Sequence, residues 1–278
     1  MTRFTLAFGV LSLAGATAAA PAPAAQANWV ADWGMDRCTL VQKAGGERPA
    51  IVAMERQPAS GVTTLTLLDP AWKTAPVRRA EELELVVEPS GRAFAGVTPV
   101  TRVGGPALQV SRDDSGLSAE LPRMRAVSLR RGGTALLTVP VAGAAKAAAA
   151  LRECEDALLR DWGVDPAAYA ALRTKPEPLQ ADTSLISEAD YPPDARRARA
   201  MGTTGAVVLV GADGRLAKCL VTSSSGNASL DAQTCRLLTE RARFTPALDR
   251  SGRKVVAPFA VSVGWALPEE AESFKPDY

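Results

Sequence analysis

The side chains with the most distinctive chemistry in this chain are four cysteines, Cys38, Cys154, Cys219 and Cys235. Cysteine can form disulfides in an oxidising compartment, bind metal ions as thiolates, or act as a nucleophile. A metal site would need closely spaced cysteines or histidine partners, and a nucleophile needs a base, yet the sequence contains no histidine. The cysteines therefore indicate two structural disulfides, for which three connectivities are open.

The lack of histidine also removes the usual means of activating a serine nucleophile. The cluster Ser223-Ser224-Ser225-Gly226 does not follow the G-x-S-x-G pattern and is better explained as a loop between a strand and a helix. Glu188 and Asp190 precede a proline turn and are expected to be solvated. We therefore predict no catalytic, metal or cofactor site, and a periplasmic enzyme of unknown class is kept as an alternative.

The charge balance gives no sign of a polyanionic partner, because 32 basic residues face 30 acidic ones. Arg196, Arg197 and Arg199 form a local basic cluster that could contact envelope phosphates. A solvated helix face is the simpler interpretation of that cluster. The sequence therefore predicts no nucleic-acid partner.

The first 27 residues have the features of a secretory signal. Arg3 supplies a positive charge, the residues from Phe4 to Ala20 are uncharged and mostly apolar, and Ala25-Gln26-Ala27 is typical of a cleavage site. The apolar part is alanine-rich, whereas a spanning helix needs about 20 strongly apolar residues. We predict export to the periplasm, with an uncleaved inner-membrane anchor as the alternative.

Residues 28–173 are expected to form a β-rich domain that ends in helices. Runs rich in leucine and β-branched residues recur between turn signals at 50–55, 61–68, 82–88, 94–103, 107–110, 124–129 and 134–139. In the clearest run, Leu83, Leu85 and Val87 fall on one face, as a half-buried strand requires.

An alanine-rich helix with leucines at helical spacing is expected from Gly143 to Trp162. Gly163 suits the end of this helix, and Asp165 with Pro166 suits the start of a short second one.

Residues 174–186 are predicted to form an extended, proline-containing linker. The remaining residues, 187–278, are predicted to form a small antiparallel sheet with a helix packed on one face. Asp213-Gly214 predicts a hairpin, a helix is expected at about 230–243, and the final strand is expected at 255–265. The fold class is therefore α+β.

The C-terminal region also carries an ordered set of residues. From Tyr191 its sequence is YPPDARRARAMGTTGAVVLVGADGRL, followed by CLVTSSSGNASLDAQTCRLLTERARFTPA. The members of the set are Tyr191, Pro192, Ala195, Gly205 (placed before the first strand), Gly214, Ser225-Gly226, Leu230-Asp231, Phe244 and Pro246. In this order they resemble the C-terminal domain of TonB over roughly residues 187–267. The resemblance implies a domain that binds a protein partner.

In that family binding occurs by strand addition, in which an extended segment of an outer-membrane receptor pairs with the free edge of the final strand. The corresponding edge here is 255–263. Its candidate binding residues are Val255, Val256, Ala257, Phe259, Ala260, Val261, Ser262 and Val263. Pro258 removes one amide donor, which is typical of an edge strand and can also limit unwanted pairing. A homodimer through this edge, or a purely structural strand, is the alternative.

The resemblance also divides the cysteines into two pairs. Cys219 and Cys235 lie inside the TonB-like stretch and the other two lie outside it, which favours the disulfides Cys38–Cys154 and Cys219–Cys235. The chain is thus expected to be a non-catalytic periplasmic protein that binds an envelope or outer-membrane transport partner. The alternative is a membrane-anchored energy transducer of the TonB type. Against it stand the weak anchor, the missing histidine and the missing proline-rich spacer.

Overall fold

The computed structural model describes residues 29–43, 50–69, 71–72, 82–102, 105–112, 115–179 and 185–267. The predicted signal segment, residues 1–27, lies outside these ranges. The described residues form antiparallel sheets and helices with a strand-rich N-terminal region, which confirms the predicted α+β class.

Within the described residues, ten strands precede the long helix. They are Trp29–Trp33 (β1), Cys38–Lys43 (β2), Ile51–Gln57 (β3), Val62–Leu68 (β4), Leu83–Glu88 (β5), Arg92–Phe94 (β6), Thr98–Arg102 (β7), Gly105–Arg112 (β8), Ala126–Arg131 (β9) and Thr134–Pro140 (β10). They make a six-stranded sheet of order β1-β2-β3-β4-β8-β7 and a four-stranded sheet of order β10-β9-β5-β6. Every pairing in both sheets is antiparallel.

The core of this region lies between the sheets and a long helix. Leu83, Leu85 and Val87 are each at most 1% exposed, which confirms the predicted buried face of β5. The sequence analysis missed β1 and β2, and its single run at 94–103 is divided between β6 and β7. Strand β1 is almost wholly exposed, so it lacks the alternation of buried and exposed residues on which such predictions depend.

The helices of the N-terminal region are Ser115–Glu120 (α1), Ala144–Trp162 (α2) and Pro166–Ala170 (α3), with a 3-10 turn at Leu121–Arg123. Gly163 ends α2 in the left-handed conformation, and its amide donates to the carbonyls of Leu159 and Arg160. The Asp165 carboxylate accepts hydrogen bonds from the amides of Ala167 and Ala168. The predicted caps of both helices are therefore confirmed.

From residue 172 onward the described residues form eight strands and two α-helices, of which the first two strands belong to the segment between the two regions. They are Leu172–Thr174 (β11), Glu177–Pro178 (β12), Pro193–Arg197 (α4), Gly202–Val210 (β13), Leu216–Ser223 (β14), Ala228–Arg241 (α5), Phe244–Thr245 (β15), Ala247–Asp249 (β16), Lys254–Val255 (β17) and Ala257–Trp265 (β18). The main sheet has the order β14-β13-β18. Helix α5 contacts both β13 and β14.

The segment between the two regions is tied to the C-terminal strands. Strand β11 pairs with β16, and β12 pairs with β15. The amide of Leu179 donates to the carbonyl of Arg243 at 2.8 Å. Pro176 and Pro178 favour extended backbone in residues 174–179, and backbone groups there pair with strands of the C-terminal region. Residues 180–184 of the predicted linker lie outside the described residues.

The two regions share apolar core. Val207 and Leu209 of β13 belong to the same contiguous cluster as the N-terminal sheets, with Leu220 of β14 and Ala260 of β18 packed against it. The pairing registers place Leu220, Val207 and Ala260 in one row across the three strands. One face of the C-terminal sheet therefore packs on the N-terminal region, and the opposite face packs on α5.

The structure contains two disulfides. Cys38–Cys154 joins β2 to α2, and Cys219–Cys235 joins β14 to α5. This is the pairing that the sequence analysis favours. Cys38 and Cys154 are each 1% exposed, whereas Cys219 and Cys235 are only partly buried.

Candidate functional site: the edge of strand β18

Strand β18 is an edge strand of the three-stranded sheet. It pairs with β13 without a register shift, from Gly202 opposite Trp265 to Val210 opposite Ala257. Among the strands that the structure describes, none pairs with its other side. A strand in this position has unpaired amides and carbonyls that can hydrogen-bond to another extended chain.

The strand begins later than the sequence predicts. Val255 belongs to β17 and pairs with Ala247 of β16, and Val256 lies between β17 and β18 with an exposed fraction of 49%. Ala257 is the first residue of β18, so two of the eight candidate binding residues, Val255 and Val256, do not belong to the edge. The valine-rich sequence gives no sign of this change of pairing partner, because both strands suit valine equally well.

The side chains of β18 alternate between two environments. Phe259 packs edge-on against Phe244, with ring centroids 5.1 Å apart, and Val261 joins the same cluster beneath α5. Ala260 contacts the N-terminal core, and Ser262 is exposed. Side-chain packing therefore holds the strand on both faces, while its outer edge presents backbone amides and carbonyls.

Pro258 indicates which backbone groups face outward. Proline has no amide, so it fits a strand paired on one side when its nitrogen faces away from the partner. Residues two apart in a strand direct their amides and carbonyls to the same side. The amides of Ala260, Ser262 and Gly264 are thus the outward ones, and the amide of Val261 faces β13. Ala257 and Pro258 are buried and Ser262 and Gly264 are exposed, so the open part of the edge is its C-terminal half.

The end of β18 is anchored by Trp265. Its indole nitrogen donates to the hydroxyl oxygen of Thr234 on α5 at 2.9 Å, and Thr234 is fully buried. Its ring meets Tyr191 edge-on at 5.4 Å, and the Tyr191 hydroxyl donates to the carbonyl of Ala200. Tyr191 therefore connects the start of the domain to its last strand, which gives this member of the TonB-like residue set a structural role.

The other members of that set are also structural. Pro192 is buried at the start of α4, Ala195 is fully buried within it, and Pro246 separates β15 from β16. Gly214 has a φ of +79°, and a Cβ there would lie 2.2 Å from the carbonyl oxygen of Phe244. Only glycine meets both demands. Gly205 lies inside β13, opposite Ser223 and Ser262, and not before the strand as the sequence analysis places it.

Ser223 is the last residue of β14, while Ser224, Ser225 and Gly226 lie in the predicted loop before α5, where a carboxylate holds the two serines. Asp231 accepts hydrogen bonds from the hydroxyls of Ser224 at 2.5 Å and Ser225 at 2.8 Å, and from Thr204 at 2.8 Å. Burial raises the pKa of Asp231, but the bonds from the serines and Thr204 outweigh it, so that the pKa is lowered. An ionised acceptor keeps these hydroxyls as donors, and the bonds tie the loop to β13 and α5.

Two polar residues have roles that the sequence did not reveal. Asp190, which we expected to be solvated, forms a two-pronged ion pair with Arg241 at 2.7 and 2.6 Å. The guanidinium of Arg196 lies 5.7 Å from the ring centre of Tyr191 and donates to the carbonyl of Glu188. Arg196 therefore packs within the domain in addition to facing solvent. The partners of both residues are distant in sequence or fall on irregular backbone, so spacing could not identify them.

The described ranges contain no group of three or more cysteine, aspartate or glutamate side chains placed to hold a metal ion. None of their helices combines the length and apolar character needed to cross a membrane.

A helix-backed antiparallel sheet with an open edge defines a small α+β domain to which an extended chain can be added. Residues 187–267 match the family model described as Gram-negative bacterial TonB protein C-terminal. The match confirms the resemblance drawn from the sequence over these residues, and the matched family is a non-enzymatic, transport-associated domain. No curated protein matches the chain.

Proposed function

We propose that this chain is a non-catalytic periplasmic protein that binds an envelope or outer-membrane transport partner through the edge of β18. The observation that carries the proposal is the unpaired edge of β18 in a domain that matches the TonB C-terminal family. An extended partner segment would pair with the outward amides and carbonyls of Ala260, Ser262 and Gly264. Each main-chain hydrogen bond contributes about 0.5–1.5 kcal/mol net, so a few of them give a modest, reversible affinity.

The arrangement of the edge favours a preformed site. Packing of Phe259 and Val261 beneath α5 and of Ala260 on the N-terminal core holds the strand on both faces. A binding edge that is already ordered avoids the entropy cost of ordering it when the partner arrives. This supports the proposal that the N-terminal region serves the binding domain as a rigid support.

The proposed location follows from the N-terminal sequence together with the family match. We infer that residues 1–27 direct export and are removed, which leaves the protein in the periplasm. An uncleaved segment would instead make the protein an inner-membrane energy transducer. Mass spectrometry of the native protein decides between them: a mature N-terminus at Asn28 supports the soluble form, and an intact Met1 in the membrane fraction supports the transducer.

Amide hydrogen exchange tests the binding mode. The mature chain is measured alone and with peptides copied from the periplasm-facing segments of outer-membrane receptors of the source bacterium. New protection at Ala260, Ser262 and Gly264 is the expected result. If these amides are already protected in a dimer of the free chain, the edge serves self-association and the proposal is wrong.

A further inference from the structure

A polar cleft opens beside β18, between the C-terminal sheet and the six-stranded sheet. Its volume is about 530 Å³. The row Leu220–Val207–Ala260 packs on the N-terminal core, while the next row facing the same way, Ser223–Gly205–Ser262, lines the cleft. The two sheets are therefore in contact along one row and apart at the next, which produces a wedge-shaped gap.

The opposite wall of the cleft is polar as well. The registers of β3, β4 and β8 place Glu55, Thr64 and Ser111 in one row, and all three line the gap. The hydroxyls of Thr64 and Ser111 are 2.8 Å apart and satisfy each other. Burying the serine and threonine side chains of both walls without new hydrogen-bond partners would cost free energy, which opposes closure of the sheets on each other.

The charges in the cleft are unevenly paired. Arg37 pairs with Asp36 at 2.9 Å and with Glu55 at 3.3 Å, so these three side chains have one formal negative charge in excess. Arg102, at the end of β7, donates to the neutral side-chain amide of Gln109 at 2.8 Å. Among the described residues no carboxylate forms an ion pair with Arg102. The part of the cleft lined by β7 and β8 therefore presents a cation whose charge is not neutralised within those ranges.

The cleft is continuous with the proposed binding edge, because Ala260, Val261 and Ser262 belong to both. A strand added to β18 would place the side chain opposite Ser262 on the same face as Ser262, since directly paired residues share a face. That face is the one directed into the cleft. A side chain of the partner at this position thus enters the space that Arg102 lines.

We propose that the cleft receives an acidic side chain of the bound segment and that Arg102 pairs with its carboxylate. The N-terminal region would then select partners as well as support the edge. The inference rests on the proposed strand addition and specifies the partner as an extended segment with a glutamate or aspartate at the position opposite Ser262. Arginine suits this role because its planar guanidinium can hold a carboxylate through two parallel hydrogen bonds.

The test measures binding of receptor-segment peptides to the full mature chain by fluorescence anisotropy. Each peptide is prepared as a series of single substitutions, in which Glu, Gln or Lys replaces one position at a time. Arg102→Gln is compared with Arg123→Gln, which changes an exposed arginine that does not line the cleft. Ser262→Pro serves as the variant that blocks the edge itself.

We expect Arg102→Gln to weaken binding of the Glu peptide about two- to fivefold, the range for an exposed ion pair, and to leave the Gln peptide unchanged. The effect should shrink in high salt, and Arg123→Gln should have no effect. If Ser262→Pro weakens binding of every peptide about tenfold while Arg102→Gln affects Glu and Gln peptides equally, strand addition stands and the acidic selection is wrong. If Ser262→Pro leaves binding intact, or no peptide binds, the proposed function fails and the inference fails with it.

Discussion

The guanidinium of Arg241 holds both carboxylate oxygens of Asp190, at 2.7 and 2.6 Å, and so joins the last turn of α5 to the turn that precedes Tyr191. Tyr191 in turn contacts Trp265 at the end of β18. The ion pair therefore lies at the start of a short chain of contacts that leads to the proposed binding strand.

This ion pair should make the domain sensitive to acid. The hydrogen bonds from Arg241, with those from Ser187, lower the pKa of Asp190 well below its ordinary value. A lowered pKa in the folded state gives stability above the unfolded pKa of about 4, and this stability is lost as the pH falls further. Asp190→Asn should lower the melting temperature at pH 7, with a difference from the wild type that narrows below about pH 4. A difference that stays constant down to pH 2 would show that the ionised carboxylate is not responsible.

The direction of the β18 amides can be tested with two neighbouring prolines. Ser262→Pro removes an outward amide and should fold normally while binding a partner peptide about tenfold more weakly. Val261→Pro removes an amide that faces β13 and should destabilise the fold by about 1–3 kcal/mol. Thermal melts and peptide titrations of both variants give the comparison. Equal destabilisation by the two substitutions would contradict the assignment made from Pro258.

Gly214 and Gly252 have nearly the same φ, so comparing them distinguishes the free-energy cost of a steric clash from the cost of backbone strain. Gly214 has a φ of +79° and Gly252 a φ of +81°, but a Cβ meets the Phe244 carbonyl oxygen only at Gly214 and no atom within 4 Å at Gly252. Gly252→Ala should cost about 1–2 kcal/mol for the left-handed conformation alone. Gly214→Ala should cost clearly more in urea unfolding, because the backbone must also move. Similar losses at both positions would mean that the close approach to Phe244 relaxes without cost.

The two disulfides should differ in their resistance to reduction. Cys38 and Cys154 are buried within the core, whereas a reductant can reach Cys219 and Cys235 from a groove lined by Lys218 and Arg236. Titration with a thiol, followed by alkylation and peptide mapping, should therefore label Cys219 and Cys235 first. Simultaneous labelling of all four would show that reduction follows global unfolding.

The Cys219–Cys235 disulfide closes a loop with a sequence separation of 16 residues. In the chain-entropy model such a closure stabilises the folded state by about 3 kcal/mol. The double variant Cys219→Ser/Cys235→Ser, which leaves no free thiol from this pair, should lose about that much in urea unfolding. No measurable loss would mean that the bond serves something other than stability.

Local patterns in the sequence anticipate several elements correctly. The alternation around Leu83, the caps at Gly163 and Asp165, and the hairpin at Asp213-Gly214 each depend on neighbouring residues only. The start of β18 at Ala257 and the place of Gly205 within β13 depend on which strand each residue pairs with. Such pairings are decided by contacts between distant parts of the chain, and a single sequence does not encode them in any local period.

The same distinction between local patterns and contacts of distant residues applies to the proposed site. The final strand and its proline were visible in the sequence, and so the edge could be proposed from the family resemblance. The cleft with Arg102 could not be foreseen, because it arises where the sheets of two regions diverge. Its residues come from β3, β4, β7 and β8 as well as from the TonB-like strands, and nothing in their spacing connects them.

The row formed by Leu220, Val207 and Ala260 has a consequence for how the molecule unfolds. These side chains complete the core of the N-terminal region while belonging to the C-terminal sheet. Separating the regions would expose apolar surface on both, so neither can melt without loss of stability in the other. The shared row therefore couples the thermodynamic stabilities of the two regions.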